Sequence, residues 1–209
     1  MQQPELFQRT FNVTLMANTS APRLWVRRLV IWEAPDKEPL QDISLRQGMN
    51  IVWTPDEQGI GHGAGKTLFC RLLRYCLGEN TFAPEEQRDS ITSTFLNACV
   101  GAEVILDGVC WAILRPLSNR RRHFAVPGGQ LEELVTGEVA PTSMEPFLEA
   151  IEQNLLTSQV ADLVPGRKQQ HLAWQIALAW LTRDQECRFD QVLDWRSVHS
   201  DSDSPARGL

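Results

Sequence analysis

Glycine, lysine and threonine residues in one short segment form the best candidate for chemistry in this sequence. The segment reads Gly61-His62-Gly63-Ala64-Gly65-Lys66-Thr67. Glycines let successive backbone N–H groups point at one centre, because no Cβ stands in the way. A lysine that closes such a loop reaches the β- and γ-phosphates of a nucleotide, and a following hydroxyl ligates Mg²⁺. The pattern therefore predicts a phosphate-binding loop for ATP and Mg²⁺.

The residues on either side of this loop are expected to form a strand and a helix. The apolar run from Met49 to Trp53 predicts the strand, and the apolar periodicity after Lys66 predicts a helix that ends at Gly78. The positive end of that helix adds to the attraction for phosphate. We expect the nucleotide to contact eight residues: Gly61, His62, Gly63, Ala64, Gly65, Lys66, Thr67 and Leu68. Lys66 is the catalytic candidate, and Thr67 is the candidate metal ligand.

The loop departs at one position from the full pattern G-x-x-x-x-G-K-[ST]. Ile60 stands where the first glycine belongs, with Gly59 and Gly61 on either side of it. The alternative to a phosphate site is a glycine-rich turn before an ordinary helix. The apolar run before the loop and the helical periodicity after it favour the phosphate site.

Composition places the chain among globular proteins. It has 209 residues, 43% of them hydrophobic and 22% charged, which suits one domain with a sizeable core. A net charge of −6 argues against a protein that coats nucleic acid over its whole surface. The five cysteines lie in apolar runs and not in C-x-x-C pairs, which is typical of reduced core thiols. With neither a signal peptide nor an apolar span in view, we expect a cytoplasmic protein.

The order of predicted elements is strands, loop, helix, antiparallel strands and then helices, which is a mixed α/β class. The clearest element is a hairpin around Asp107-Gly108, a favoured type I′ turn pair. The other predicted strands are Leu24–Glu33, Leu40–Leu45, His123–Val126 and Leu131–Val135, and the other helices are Ile91–Asn97, Thr142–Leu156 and Gln169–Phe189. The polar residues 197–209 are expected to form a tail or linker.

This order resembles the N-terminal half of the ATPase head in the SMC/RecN/RecF group of ABC-type ATPases. In that group a G-x-N-x-I/V segment leads into the phosphate-binding loop, and here the segment is Gly48-Met49-Asn50-Ile51-Val52. The resemblance covers roughly residues 24–196. It implies a P-loop NTPase fold in which residues 1–196 form the N-terminal lobe, with its loop at 59–67 and an antiparallel β-subdomain followed by helices. It also implies Mg-ATP binding within a DNA-repair, chromosome-maintenance or defence complex.

Two motifs that the group needs for hydrolysis are absent from the sequence: the Ser-Gly-Gly signature and a Walker B strand that ends in Asp-Glu. Val104-Ile105-Leu106-Asp107 resembles a Walker B strand, but Gly108 follows it, and a hairpin turn explains it better. Val126-Pro127-Gly128-Gly129-Gln130 resembles the signature, but proline replaces the serine, and a turn explains it better. Hydrolysis is therefore expected to need a C-terminal half or a partner subunit.

The resemblance suggests roles for two further sets of residues. Gln185 is the best-placed candidate for the glutamine that contacts Mg²⁺ and the attacking water, with Gln191 as the fallback. The alternative for Gln185 is an exposed polar patch on a helix. Arg120, Arg121 and Arg122 could grip a DNA backbone, or they could form a solvated loop. Trp174, Trp180 and Trp195 are expected to pack a helix against the sheet.

Two other classes of function remain open from the sequence. One is a P-loop kinase or other phosphotransferase, which would carry its catalytic carboxylate on parallel strands. The other is a non-hydrolysing module in which nucleotide only stabilises an assembly interface.

Overall fold

The fold is built on one antiparallel sheet. The computed structural model describes residues 22–52, 65–118, 123–138, 142–156, 174–175, 177–178 and 181–182. Its strands are β1 Leu24–Trp32, β2 Pro39–Ser44, β3 Cys99–Leu106, β4 Val109–Pro116 and β5 Phe124–Pro127. Its helices are α1 Lys66–Cys76, α2 Glu85–Thr94, α3 Leu131–Thr136 and α4 Glu145–Leu155. The described residues thus show a mixed class with an antiparallel sheet and helices.

The strands lie in the order β2-β1-β3-β4-β5, and every neighbouring pair is antiparallel. The hairpin of β3 and β4 is the centre of this arrangement. Its turn residues Asp107 and Gly108 have φ values of 47° and 83°, the left-handed pair that a type I′ turn requires. The predicted hairpin is therefore confirmed, and the predicted strands of β1, β2 and β5 are confirmed with ends shifted by one residue.

Apolar residues alternate between the two faces of the sheet, as the two-residue period of a strand requires. Leu29 and Ile113 face the larger core, where α1, α4 and Trp174 pack. Val30 and Leu114 face a smaller cluster that α3 covers with Leu131 and Leu134. Helices on both faces account for the nearly complete burial of the central strands β3 and β4.

Two predicted strands are wrong. Residues Met49–Val52, placed in the strand before the glycine-rich loop, lie outside any strand and are exposed. Residues Leu131–Val135 belong to α3, whose start is fixed by a capping box between Gln130 and Glu133. The side chain of each residue accepts a hydrogen bond from the backbone N–H of the other. These two bonds start a helix where the apolar content predicts a strand.

Two predicted helix starts were misplaced. The helix predicted at Ile91–Asn97 is α2, which starts earlier, at Glu85, because Pro84 stands at its N-cap, where the missing N–H costs nothing. The helix predicted at Thr142–Leu156 is α4, which begins at Glu145 with Met144 at its N-cap and buries Phe147 and Ile151. Within the described part of the chain, no helix is long and apolar enough to cross a membrane.

Candidate functional site

The start of α1 is the described part of the predicted phosphate-binding loop. Gly65 has φ 73° and ψ 4°, a left-handed conformation that residues with a Cβ adopt only with strain. Its carbonyl accepts the first helical hydrogen bond from Phe69 N at 2.8 Å. No side chain of a described residue caps this end of the helix, and its first turn contains no acidic residue. The first N–H groups and the positive end of the helix dipole are therefore available for an anion.

Lys66 and Thr67 are the first two residues of α1, and both are half-buried. Among the residues that the structure describes, Lys66 has no salt-bridge partner, and the Thr67 hydroxyl has no hydrogen-bond partner. Leu68 packs against the larger core. The helix thus presents a cation and a hydroxyl at its start, and it anchors itself through the next apolar residue.

The carboxyl end of α1 is fixed to the rest of the fold by three contacts. Tyr75 donates its hydroxyl to Pro116 O at 2.9 Å, and Arg74 Nη2 donates to Glu79 Oε1 at 2.7 Å. Trp174 Nε1 donates to Leu77 O at 2.6 Å, and its ring is fully buried, so the prediction that Trp174 packs a helix on the sheet is confirmed. These contacts hold α1 in one position and so fix the direction of its first turn.

The segment that leads towards the loop forms a closed turn. Asn50 Nδ2 donates to Arg46 O at 2.7 Å and to Gly48 O at 3.2 Å, and Asn50 Oδ1 accepts from Arg46 N at 3.0 Å. The apolar side chains beside this asparagine are exposed: Met49 is 76% and Ile51 is 80% exposed. The turn therefore carries apolar surface with no cover from the described residues.

The other predicted site residues lie outside the described residues: Gly61, His62, Gly63, Ala64, Gln185, Gln191, Arg120, Arg121 and Arg122. Their predicted roles stay predictions. Trp180 and Trp195 also lie outside the described residues.

The two segments that resemble hydrolysis motifs have structural roles. Asp107 accepts two hydrogen bonds from Arg23, at 2.7 and 2.9 Å, and these bonds hold the pKa of its carboxyl below the usual range. Gln130 caps α3. The predictions that these segments are a hairpin turn and a connecting turn are both confirmed.

The structure also contains a cluster of polar side chains that the sequence did not predict. It lines a cavity of about 540 Å³ at the carboxyl end of α1, far from Lys66. Arg115 of β4 and His123, next to β5, belong to it, and they contact each other through Arg115 Nε and His123 Nδ1 at 2.8 Å. No sequence motif marks these residues, because an arginine inside an apolar strand pattern reads as an ordinary solvent-facing position.

Comparison with known proteins adds no identity, since no protein-family model, curated protein or solved structure matches this chain.

Proposed function

We propose that this chain binds Mg-ATP through residues 59–67 and the start of α1, as one half of an SMC/RecN-like ATPase head. The observation that carries the proposal is the start of α1 itself. A left-handed glycine precedes a helix end with no side-chain cap and no acid, headed by Lys66 and Thr67 without protein partners among the described residues. A lysine and a threonine that bond to no described side chain, at a helix start whose N–H groups are uncapped by described residues, suit a nucleotide phosphate.

Each residue has a distinct task in this proposal. The Lys66 ammonium group neutralises charge on the β- and γ-phosphates, and the Thr67 hydroxyl ligates Mg²⁺, which bridges the same phosphates. Backbone N–H groups of residues 61–67 surround the phosphates. Leu68 keeps the helix seated on the core while its first turn faces the ligand. Gln185 is proposed to position water on the metal ion.

The exposed residues next to the loop support the idea of a missing half. Met49, Ile51 and Val52 are 76%, 80% and 47% exposed, although all three are apolar. An apolar run that the described residues leave exposed is a candidate for a surface that another segment or subunit covers. We propose that a C-terminal half or partner subunit covers this run and supplies the groups for hydrolysis. The setting would be DNA repair, chromosome maintenance or defence, with DNA contact through residues 120–122.

The antiparallel pairing of the described strands argues against the phosphotransferase alternative. Such enzymes place their catalytic carboxylate at the end of a parallel strand, and every pairing among the described strands is antiparallel. The non-hydrolysing module shares the binding step with the leading proposal and has the same exposed apolar run in its favour. The non-hydrolysing module and the leading proposal differ only in whether ATP is hydrolysed once the partner is present.

Titration calorimetry with Mg-ATP tests the binding step. In the Lys66→Ala variant, the loss of the charge-assisted contact to phosphate, about 1.5–3 kcal/mol, should weaken binding at least roughly tenfold. Lys37→Ala is the matched control, because Lys37 is an exposed lysine whose partner is Glu33 at 3.0 Å. Equal affinity of the wild type and Lys66→Ala would overturn the proposal, and so would equal weakening by both variants.

A further inference from the structure

The cavity at the carboxyl end of α1 has a charged floor and a partly apolar wall. Its lining is drawn from β4, β5 and α4, from the segment after α1 and from Gln175, and it includes Arg115, His123, Phe124, Leu148 and Asn80. The two amides at its edge bond to each other, from Gln175 Nε2 to Asn80 Oδ1 at 3.1 Å. α1 has 11 residues, so at about 1.5 Å per residue this cavity lies roughly 16 Å from the start of the helix. It is therefore separate from the proposed nucleotide site.

Arg115 is a buried cation whose hydrogen-bond partners are all neutral. It is 6% exposed, and its Nη1 donates to Tyr75 O and to Glu79 O, the latter at 2.8 Å. Its Nε donates to His123 at 2.8 Å, and its guanidinium carbon lies 3.5 Å from the centre of the Tyr75 ring. The Glu79 carboxylate is engaged by Arg74. Nη2 has no hydrogen-bond partner among the described residues.

Burial of such a cation is costly unless an anion compensates it. Burial lowers the pKa of Arg115 from its ordinary value, although the Tyr75 ring, the Cys76 thiol and the Glu79 carboxylate act in the opposite direction. The fold thus keeps a desolvated charge at the floor of an open cavity without a carboxylate bonded to it. An anionic ligand would supply the missing partner.

His123 adds a second donor to the same cavity. Its Nδ1 accepts the hydrogen bond from Arg115 Nε, so the proton of the neutral ring must be on Nε2. Burial and the neighbouring Arg115 lower the pKa of His123 to about 4, which keeps the ring neutral near pH 7. The Nε2–H group has no acceptor among the described residues. A neutral ring with a free N–H can therefore donate to an anion.

The first turn of α4 forms the third side. Thr142 Oγ1 donates to Ala125 O, and Ala125 N donates to Thr142 O at 3.2 Å, which ties this turn to β5 beside His123. Ser143, Met144 and Glu145 then line the cavity at the start of the 11-residue helix, whose first turn also contains the Glu145 carboxylate and Pro146, which has no N–H. Glu145 is exposed at the rim and is the one carboxylate among the lining residues.

We infer that this cavity binds a phosphate group, held by Arg115 of β4, by His123 next to β5 and by the residues at the start of α4. A tetrahedral phosphate has enough oxygens to accept from donors on three sides, whereas a planar carboxylate has two. Phe124 and Leu148 give an apolar wall to which the organic part of a phosphate ester can pack. The phosphate can come from the free ion or from such an ester.

Proton NMR of His123 with inorganic phosphate as the probe tests this inference. The Lys66→Ala variant is used, so that failure here and failure of the nucleotide proposal are distinguished. The negative charge of a bound phosphate offsets Arg115, so about 10 mM phosphate should raise the proton affinity of His123 roughly tenfold. Sodium chloride at the same ionic strength should not. An unchanged His123 titration, or the same change with chloride or acetate, would overturn the inference.

Two variants and a second phosphate probe test the inference further. The His123→Gln variant assigns the NMR signal. Arg115→Lys keeps the charge but lacks the guanidinium fork, and it should weaken phosphate binding several-fold in calorimetry. If that variant does not fold, the His123 titration in the Lys66→Ala protein still decides. Phenyl phosphate should bind more tightly than free phosphate if an ester is the ligand, and equal affinity would assign the site to the free ion.

Discussion

Lys66 and Arg115 are two cations held in opposite ways. Lys66 is half-buried at the start of α1 and has no salt-bridge partner among the described residues. Arg115 is buried under a network of two carbonyls, a histidine and an aromatic ring. Removal of the first charge should therefore affect ligand binding and leave the fold intact. Removal of the Arg115 charge should affect both ligand binding and the stability of the fold.

The Thr67 hydroxyl is expected to matter only through the metal ion. In Thr67→Ala, ATP affinity in the presence of Mg²⁺ should fall to nearly the affinity measured with EDTA, because one metal ligand is lost. Thr67→Ser keeps the hydroxyl and should bind as the wild type does. Calorimetry with and without Mg²⁺ checks this. A Thr67→Ala protein with full Mg²⁺ dependence would remove Thr67 from the site.

The site around Lys66 could be predicted from the sequence, whereas the site around Arg115 could not. Gly65, Lys66 and Thr67 are consecutive, so their joint meaning is local and can be read from the chain. Arg115 gains its role from Tyr75 and Glu79, which lie 40 and 36 positions away in the sequence. Such contacts exist only after the sheet has formed on α1, and no spacing rule predicts them.

At the scale of elements, Arg28 links three parts of the fold. From β1 it donates to Asp42 of β2, at 2.8 and 2.7 Å, and to Glu132 of α3 at 2.6 Å. The hydrogen bonds from Arg28 lower the pKa of Asp42 below its ordinary value of 3.8. An aspartate with a lowered pKa stabilises the fold above pH 3.8, and this contribution is lost as the pH falls through the lowered pKa.

The Asp42→Asn variant should therefore show a shallower loss of stability in acid than the wild type. The Asp42 side chain is 42% exposed, so screening by water limits the difference to below about 1 kcal/mol. Urea denaturation between neutral and acidic pH measures it. Asp36→Asn is the control, because Asp36 is exposed and has no ion pair with a described residue. Identical pH profiles for Asp42→Asn and the wild type would contradict the linkage.

The end of α1 depends on Gly78. Its φ is 112°, and a Cβ there would lie 2.6 Å from Leu148 Cδ2 and 3.3 Å from Trp174 Nε1. Gly78→Ala should destabilise the protein by about 1–3 kcal/mol, from backbone strain and from the displaced Leu148. Gly128→Ala is the matched control, because Gly128 also has a positive φ, 71°, but open space around it. Urea denaturation should show the larger loss for Gly78→Ala.

Local signals decided which elements sequence reasoning placed correctly. The Asp107-Gly108 turn fixes the hairpin by itself, and it was predicted. The apolar content of Leu131–Val135 predicts a strand. The capping box formed by Gln130 and Glu133 starts a helix there instead. Met49 to Val52 has a strand-like composition, but the chain offers no described strand for it to pair with.

At the scale of the whole molecule, the described residues form a sheet covered by helices, with exposed apolar side chains in the run Met49–Val52. Helices lie on both faces of the sheet, whereas Met49, Ile51 and Val52, which precede the proposed nucleotide site in the sequence, are exposed. In the function proposed above, this chain would build the phosphate site, and hydrolysis would depend on a segment that covers the exposed run.

The chain alone should therefore bind ATP and turn it over at close to the uncatalysed rate. Charge neutralisation by Lys66 and Mg²⁺ is only part of catalysis, because phosphoryl transfer also needs an oriented water and further charge stabilisation. A steady-state phosphate-release assay measures this, with Lys66→Ala as the blank. Rapid turnover by the wild type that is absent from Lys66→Ala would point instead to a self-contained NTPase or phosphotransferase.

The most direct test of the central claim is a ¹⁵N–¹H NMR titration of the chain with Mg-ATP. If the start of α1 binds phosphate, the backbone amides of Gly65, Lys66 and Thr67 should show the largest changes among the described residues, since their N–H groups face the ligand. At an ATP concentration that half-saturates the wild type, the amides of Gly65 and Thr67 should shift much less in Lys66→Ala. If these three amides do not respond in the wild type, or respond equally in Lys66→Ala, the claim that this chain holds a nucleotide there is contradicted.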